Sequence, residues 1–159
     1  MDTETVMVQS AVGAWKLAVK RTSSTFDKMS DERFFQEIAP GKNRPVYLLG
    51  HLTAVHDAMF PLLGIGERLH PELDTAFVTN PDRFTEHMPS LEALKGYWAE
   101  VNGRLLERFE ALTPGEWLAR HTGMTDDDFV KDPTRNKLSV LLNRAGHCSF
   151  HLGQLVLAR

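Results

Sequence analysis

LEALKGYWAEVNGRLLERFEAL, residues 91–112, is the stretch that decides the fold. Leu91, Leu94, Trp98, Val101, Leu105, Phe109 and Leu112 recur at steps of three and four, while Glu92, Lys95, Glu100, Arg104, Glu107 and Arg108 fill positions between them. That pattern is an α-helix with one apolar face. Ser90 suits the N-cap, Glu92 suits the positive end of the helix dipole, and Thr113-Pro114-Gly115 stops the run. A long helix with one apolar face must bury it against other elements.

Three further stretches offer themselves. Val8, Val12, Trp15, Val19 and Phe26 mark a helix from about residue 4 to residue 25, weakened at its end by Ser23-Ser24-Thr25. Ser30-Asp31-Glu32 then opens a short helix through Ile38. Pro45, at a first helical position, opens a second long helix to Leu63, which Pro61 kinks or terminates. Asn136 precedes a last helix, Leu138 to Ala158. Residues 64–89 show no period and carry Pro71, Pro81 and Pro89. A connection of that length, far beyond the usual ~2–8 residues, is either functional or holds a small helix of its own. Pro114 to Arg120 reads as one or two turns, and residues 121–136 as a second exposed loop. The triplet Asp126-Asp127-Asp128 in that loop reads as solvated charge, because the alternating ligands and central glycine of a calcium loop are missing. Four long amphipathic segments without a strand pattern predict an all-α four-helix bundle, residues 1–159 forming a single domain. The two long connections leave the helix order open.

The chain has 159 residues, 42% hydrophobic and 25% charged, with a net charge of −3. This is ordinary globular composition, with no electrostatic footprint for nucleic acid or an anionic membrane. No uninterrupted apolar run approaches the ~18–20 residues of a membrane span. The N-terminus, Met1-Asp2-Thr3-Glu4, is acidic rather than signal-like. Cys148 is the only cysteine, so no intrachain disulfide forms and a reducing, cytoplasmic setting is expected.

Chemistry enters at Gly146-His147-Cys148-Ser149-Phe150-His151-Leu152-Gly153-Gln154. Two histidines four apart share one helix face, about 5–6 Å apart at Cβ, and can converge on one ion. They lie off the main apolar arc of Leu138, Leu141, Leu142, Ala145, Ser149, Leu152 and Val156, on a second face that must meet something else. Cys148 falls inside the arc and reads as a small buried residue. Among long-helix histidines, His51 and His56 flank the apolar face of the second helix, and both cannot reach one ion. His51 is favoured because Gly50 beside it allows a neighbouring helix to approach closely. His51, His147 and His151 would leave an open position, as catalytic zinc sites do. Gln154 can orient a ligand, a bound water or a substrate from behind. His70 and His87 read as exposed loop histidines. A ferritin-like centre is excluded, since the one Glu-x-x-His, Glu67 to His70, runs into Pro71. A metalloprotease His-Glu-x-x-His, a phosphate-binding loop and a nucleophile elbow are missing as well.

Gly50-His51-Leu52 and His147-x3-His151-x2-Gln154, with Gly153 before the glutamine, resemble the DinB/YfiT-like superfamily of metal-binding four-helix bundles. His51 to His56 is also similar to the His-x4-His stretch of its bacillithiol-transferase branch. The resemblance implies zinc or nickel on His51, His147 and His151, a homodimer, and a small-molecule substrate. It further implies transfer or isomerisation with a low-molecular-weight thiol as cofactor, as in characterised members; hydrolysis is the alternative that a hydroxide on such an ion could support. Many relatives carry a basic residue where this chain has Leu152, which points to another thiol or none. Arg144, on the histidine side of the last helix, is the candidate contact for an anionic substrate. The alternative is a non-catalytic dimeric bundle with a structural ion.

Overall fold

Capping side chains set where the helices begin. In this computed structural model, which describes residues 1–158, Asp2 accepts from the Thr5 N–H to open α1 (Thr3–Asp27) and Ser30 opens α2 (Asp31–Phe34). Pro45 starts α3 (Pro45–Asp57), which continues after Ala58 as α4 (Met59–Leu63). Ser90 caps α5 (Leu91–Ala111), and a Thr113–Glu116 capping box closes on α6 (Pro114–Trp117). Thr125 caps α7 (Asp126–Lys131) and Asn136 caps α8 (Lys137–Val156). The expected all-α bundle is what forms; the described residues hold no strand beyond an isolated bridge between Arg120 and Asn136.

Four expectations are corrected. α1 runs through Ser23-Ser24-Thr25 to Asp27, because Thr25 Oγ1 donates back to the Arg21 carbonyl and Ser23 Oγ accepts from Trp98 Nε1. α2 stops at Phe34, short of Ile38, where the Arg33 guanidinium takes the Gln36 and Glu37 carbonyls. Residues 121–136 contain the short α7, with Asp126, Asp127 and Asp128 in its first turn where the dipole favours them. Pro45–Leu63, taken as one unit, does have the length and apolarity of a membrane span, yet about two-thirds of it is buried against the other helices. A central helix packed on several sides is apolar nearly all round. Its break falls at Ala58, where Pro61 has no N–H to offer the Asp57 carbonyl.

Contacts along the helices give their directions. Thr22 meets Cys148 at 3.3 Å, and Val8 and Trp15 pack with Leu141 and Ala145, so α1 and α8 run parallel. Lys16 reaches Glu110 and Trp98 reaches Ser23, so α5 runs opposite to α1. Leu48, Leu49 and Leu52 share one apolar cluster with Leu94 and Trp98. Met59, Phe60 and Leu63 share the other with Val101, Leu105 and Phe109, so α3–α4 runs parallel to α5. The order is up-down-down-up. Two successive down helices require the chain to return along the bundle, which explains the long stretch from Gly64 to Pro89.

That return is tied down at both ends. Asp57, fully buried, accepts from Leu69 N–H at 2.7 Å, His70 N–H at 3.0 Å and Arg68 Nε at 3.0 Å, while Arg68 also grips Asp74. Between the anchors lies a π-helical turn, Thr75–Thr79, which is the small helix allowed for in this connection. Beyond it, Asp82 accepts from the Arg44 backbone N–H at 2.9 Å and from its guanidinium at 2.7 Å. Tyr47 donates its hydroxyl proton to the Asn80 carbonyl at 2.8 Å.

Candidate metal centre

α3 brings His51 against the one-turn pair His147 and His151 on α8. His147 Nε2 lies 3.3 Å from His51 Nε2 and 3.1 Å from His151 Nε2. All three ligand nitrogens lie within 4.8 Å of one another, and no other three His, Cys, Asp or Glu side chains among the described residues gather so. The three expected residues are therefore brought together. Four-coordinate zinc with Zn–N bonds of ~2.0–2.1 Å separates neighbouring nitrogens by about 3.3 Å, close to these spacings.

Hydrogen bonds behind the rings set their tautomers. His51 Nδ1 faces the Phe77 carbonyl at 2.7 Å, and a carbonyl only accepts, so Nδ1 carries the proton and Nε2 presents a lone pair. His151 Nδ1 faces Gln154 Oε1 at 2.7 Å, with the same result. Lone pairs thus converge where a cation would sit, and this donor set fits a divalent ion. Gln154 serves His151, one of the roles open to it by its spacing. Burial, reinforced by the neighbouring His151 and His51, draws the His147 pKa down to about 4, and burial lowers that of His151. Both rings are therefore neutral at physiological pH, as ligation requires.

Gly50 permits a close approach, but what approaches is the Phe77 ring of the return segment and not a neighbouring helix. A Cβ on Gly50 would lie 2.4 Å from Phe77 Cδ1. The missing side chain lets Phe77 lie across α3, which sets its carbonyl over His51. The Tyr47 ring stacks on His51 with centroids 6.1 Å apart and ring planes nearly parallel.

His56 takes no part in the cluster. Its ring is fully buried between Trp15 and Trp98, with Nδ1 2.7 Å from Asn102 Oδ1, and burial pushes its pKa down to about 4. Arg144 lies one turn before His147, half-buried. It donates to Asn143 Oδ1 at 3.2 Å while its Nε is buried with no acceptor. Cys148 is buried and bonds to Thr22, as a small core residue should. His87 is exposed as expected. His70 is not, since it stacks on Tyr97 at 3.8 Å and bridges Glu72 and Glu100.

The buried stripe of α8 is Leu141, Ala145, Cys148 and Leu155, rotated toward the histidines from the expected arc, and Leu142 and Val156 are left partly exposed. Sequence reasoning missed Phe77, Tyr47 and Asn102. Gly50 beside His51 was the signal for Phe77, and an asparagine inside the apolar stripe of α5 was the signal for Asn102. No curated protein matches the chain. The sequence profile of the DinB superfamily matches residues 14–155, from the middle of α1 to the end of α8, and the chain belongs to that superfamily.

Proposed function

We propose that the chain is a divalent-metal-dependent protein of this superfamily, acting on a small molecule by thiol S-transfer or hydrolysis at the three-histidine centre. One observation carries this reading: three imidazoles converge through Nε2, with Phe77 and Gln154 holding two of them from behind. His51, His147 and His151 would hold the ion; imidazole suits zinc, nickel, copper and iron alike, and the family resemblance favours zinc or nickel. When bound, such an ion acts as a Lewis acid that favours the deprotonated form of a thiol or water. The Phe77 carbonyl and Gln154 Oε1 keep the Nδ1 protons in place, so the ligands neither rotate nor change tautomer. Arg144 supplies fixed positive charge beside the centre for an anionic substrate.

The side of the bundle formed by α1 and α8 supports association with a second copy. Met7, Leu17, Leu142, Phe150 and Val156 are exposed there, and Leu17 and Val156 line one shallow groove. A second copy of this face would cover them.

The test is metal analysis of the purified protein beside a His147→Ala/His151→Ala variant. The wild type is expected to carry about one ion per chain and the variant none; equal contents would remove the site. A chelator separates catalysis from a structural ion. Loss of turnover with an unchanged melting temperature supports catalysis. A large fall in melting temperature without any thiol-dependent activity assigns the ion to the fold.

A further inference from the structure

Trp117 on α6 is fully buried, yet its indole Nε1 has no hydrogen-bond partner. Trp98 shows the ordinary outcome, its Nε1 donating to Ser23 Oγ at 2.8 Å. An indole nitrogen only donates, and a buried donor left alone is costly, so an acceptor belongs beside Trp117.

Trp117 lines a cavity of about 610 Å³ between α1, the end of α5 and α6. Small-molecule sites measure ~300–1,000 Å³. Val8, Val12, Phe109 and Leu112 give it apolar walls. Gly13 is part of the lining too, and no atom lies within 4 Å of its would-be Cβ, so α1 leaves space there. Because α5 runs opposite to α1, its C-terminal end leads α6 toward the start of α1, and Trp117 lies at that end. Lys16 and Lys20, one turn apart on one face of α1, line the other end. Val8 and Lys20 are about 18 Å apart along the helix axis.

Charge is as uneven as polarity. Lys16 reaches Glu110 at 3.4 Å in an exposed pair, which contributes little and opens readily. Lys20 has no hydrogen bond or ion pair among the described residues, and Glu110 is the one carboxylate in the lining. The lysine end therefore attracts an anion, the middle takes apolar length, and the indole end takes an acceptor. Thr5 and Gln9 line the indole end and can accept a proton in return.

We propose that this cavity binds an elongated amphiphilic hydroxy acid. Its carboxylate lies on Lys16 and Lys20, and its chain runs along Val8, Val12, Phe109 and Leu112. Its far hydroxyl accepts from Trp117 Nε1 and donates to Thr5 or Gln9. No histidine lines the cavity, so the site stands apart from the three-histidine centre.

Isothermal titration of the purified protein with ω-hydroxydecanoate is expected to show one saturable site; no saturable binding overturns the proposal. Decanoate lacks the hydroxyl and the matching decanediol lacks the carboxylate, and each should bind roughly fivefold weaker. Equal affinity for all three would reduce the cavity to an unspecific apolar groove with a water on Trp117, and also overturns it. Trp117→Phe should bring ω-hydroxydecanoate down to the level of decanoate and leave decanoate unchanged, whereas a purely structural Trp117 would weaken both alike. Lys20→Glu should weaken both acids and spare the diol. Gly13→Leu, which suits the helix better and fills the space beside it, should abolish binding. Unchanged binding in that variant would put the ligand on another face and refute the site. If Trp117→Phe does not fold, the three probes and Gly13→Leu still decide the matter. The His147→Ala/His151→Ala variant should bind as the wild type does; loss of binding there would assign the ligand to the histidine centre instead.

Discussion

Adding one methyl group to Gly50 should disturb the candidate metal centre, which Gly50 never touches. The new Cβ would meet Phe77 Cδ1, Cε1 and Cγ at 2.4, 2.5 and 2.6 Å. Ordinary carbon contacts begin near 3.5 Å, so the ring must withdraw by about 1 Å. Phe77 is only 2% exposed and walled in by core residues, so the movement passes to its backbone in the π-helical turn. Its carbonyl holds His51 Nδ1 at 2.7 Å, and a displacement of about 1 Å takes that bond beyond hydrogen-bonding range. Gly50→Ala is therefore expected to lose about 1–3 kcal/mol of stability through overpacking. Losing the bond behind His51 should weaken zinc binding by roughly ten- to a hundredfold. Urea unfolding of the metal-free protein reads the first effect and zinc competition the second. Gly103→Ala is the control, since no atom lies within 4 Å of its would-be Cβ in α5; there the helix should gain about 0.5–1 kcal/mol. Lower stability with unchanged zinc affinity would refute the coupling from Phe77 to His51, and no change in either would refute the packing argument too.

Acid should unfold the metal-free protein through His56. Its pKa is 6.5 when free and about 4 when buried, so the folded state binds fewer protons between those values. The stability it contributes is complete above about pH 6.5 and is lost as the pH falls toward 4, up to ~3 kcal/mol in all. Urea midpoints at pH 7.5 and 4.5 should differ accordingly, and His56→Gln should reduce the difference without abolishing it, since His147 is shifted as far; an equally steep fall in that variant would assign the acid sensitivity elsewhere. Gln154→Leu removes the acceptor 2.7 Å behind His151 and should weaken zinc binding about tenfold with little change in unfolding, as the same competition assay checks. Leu17→Glu/Val156→Glu places like charges in the shared groove of α1 and α8 and should convert the proposed dimer to a monomer on sedimentation. Sedimentation unchanged by the pair would move the interface elsewhere.

The helices were legible because each long amphipathic stretch carried its own start signal, Ser90 and Asn136 above all. The site was legible in part for the same reason: His147 and His151 are local on one helix, and Gly50 singled out His51. The rest depended on relations between distant segments. The direction of each helix follows from contacts such as Thr22 with Cys148, which no local period encodes. The support behind His51 is a backbone carbonyl, available at any residue, so only the steric signature of Gly50 pointed to it. The burial of His70 comes from Tyr97 and Glu100 on α5, far along the chain from its own loop.

The up-down-down-up order has a kinetic consequence. An up-and-down bundle can assemble from successive hairpins, each closing a short loop. Here α8 pairs with α1, so Cys148 meets Thr22 across 126 residues, and His51 meets His147 across 96. Contacts of such separation close late, after the entropy of a long loop has been lost. His147 and His151 are preset as soon as α8 forms, but the third imidazole arrives only when α3 docks and the return segment seats Phe77. Assembly of the three imidazoles is thus one of the last events of folding, and an ion held by all three would certify a finished bundle.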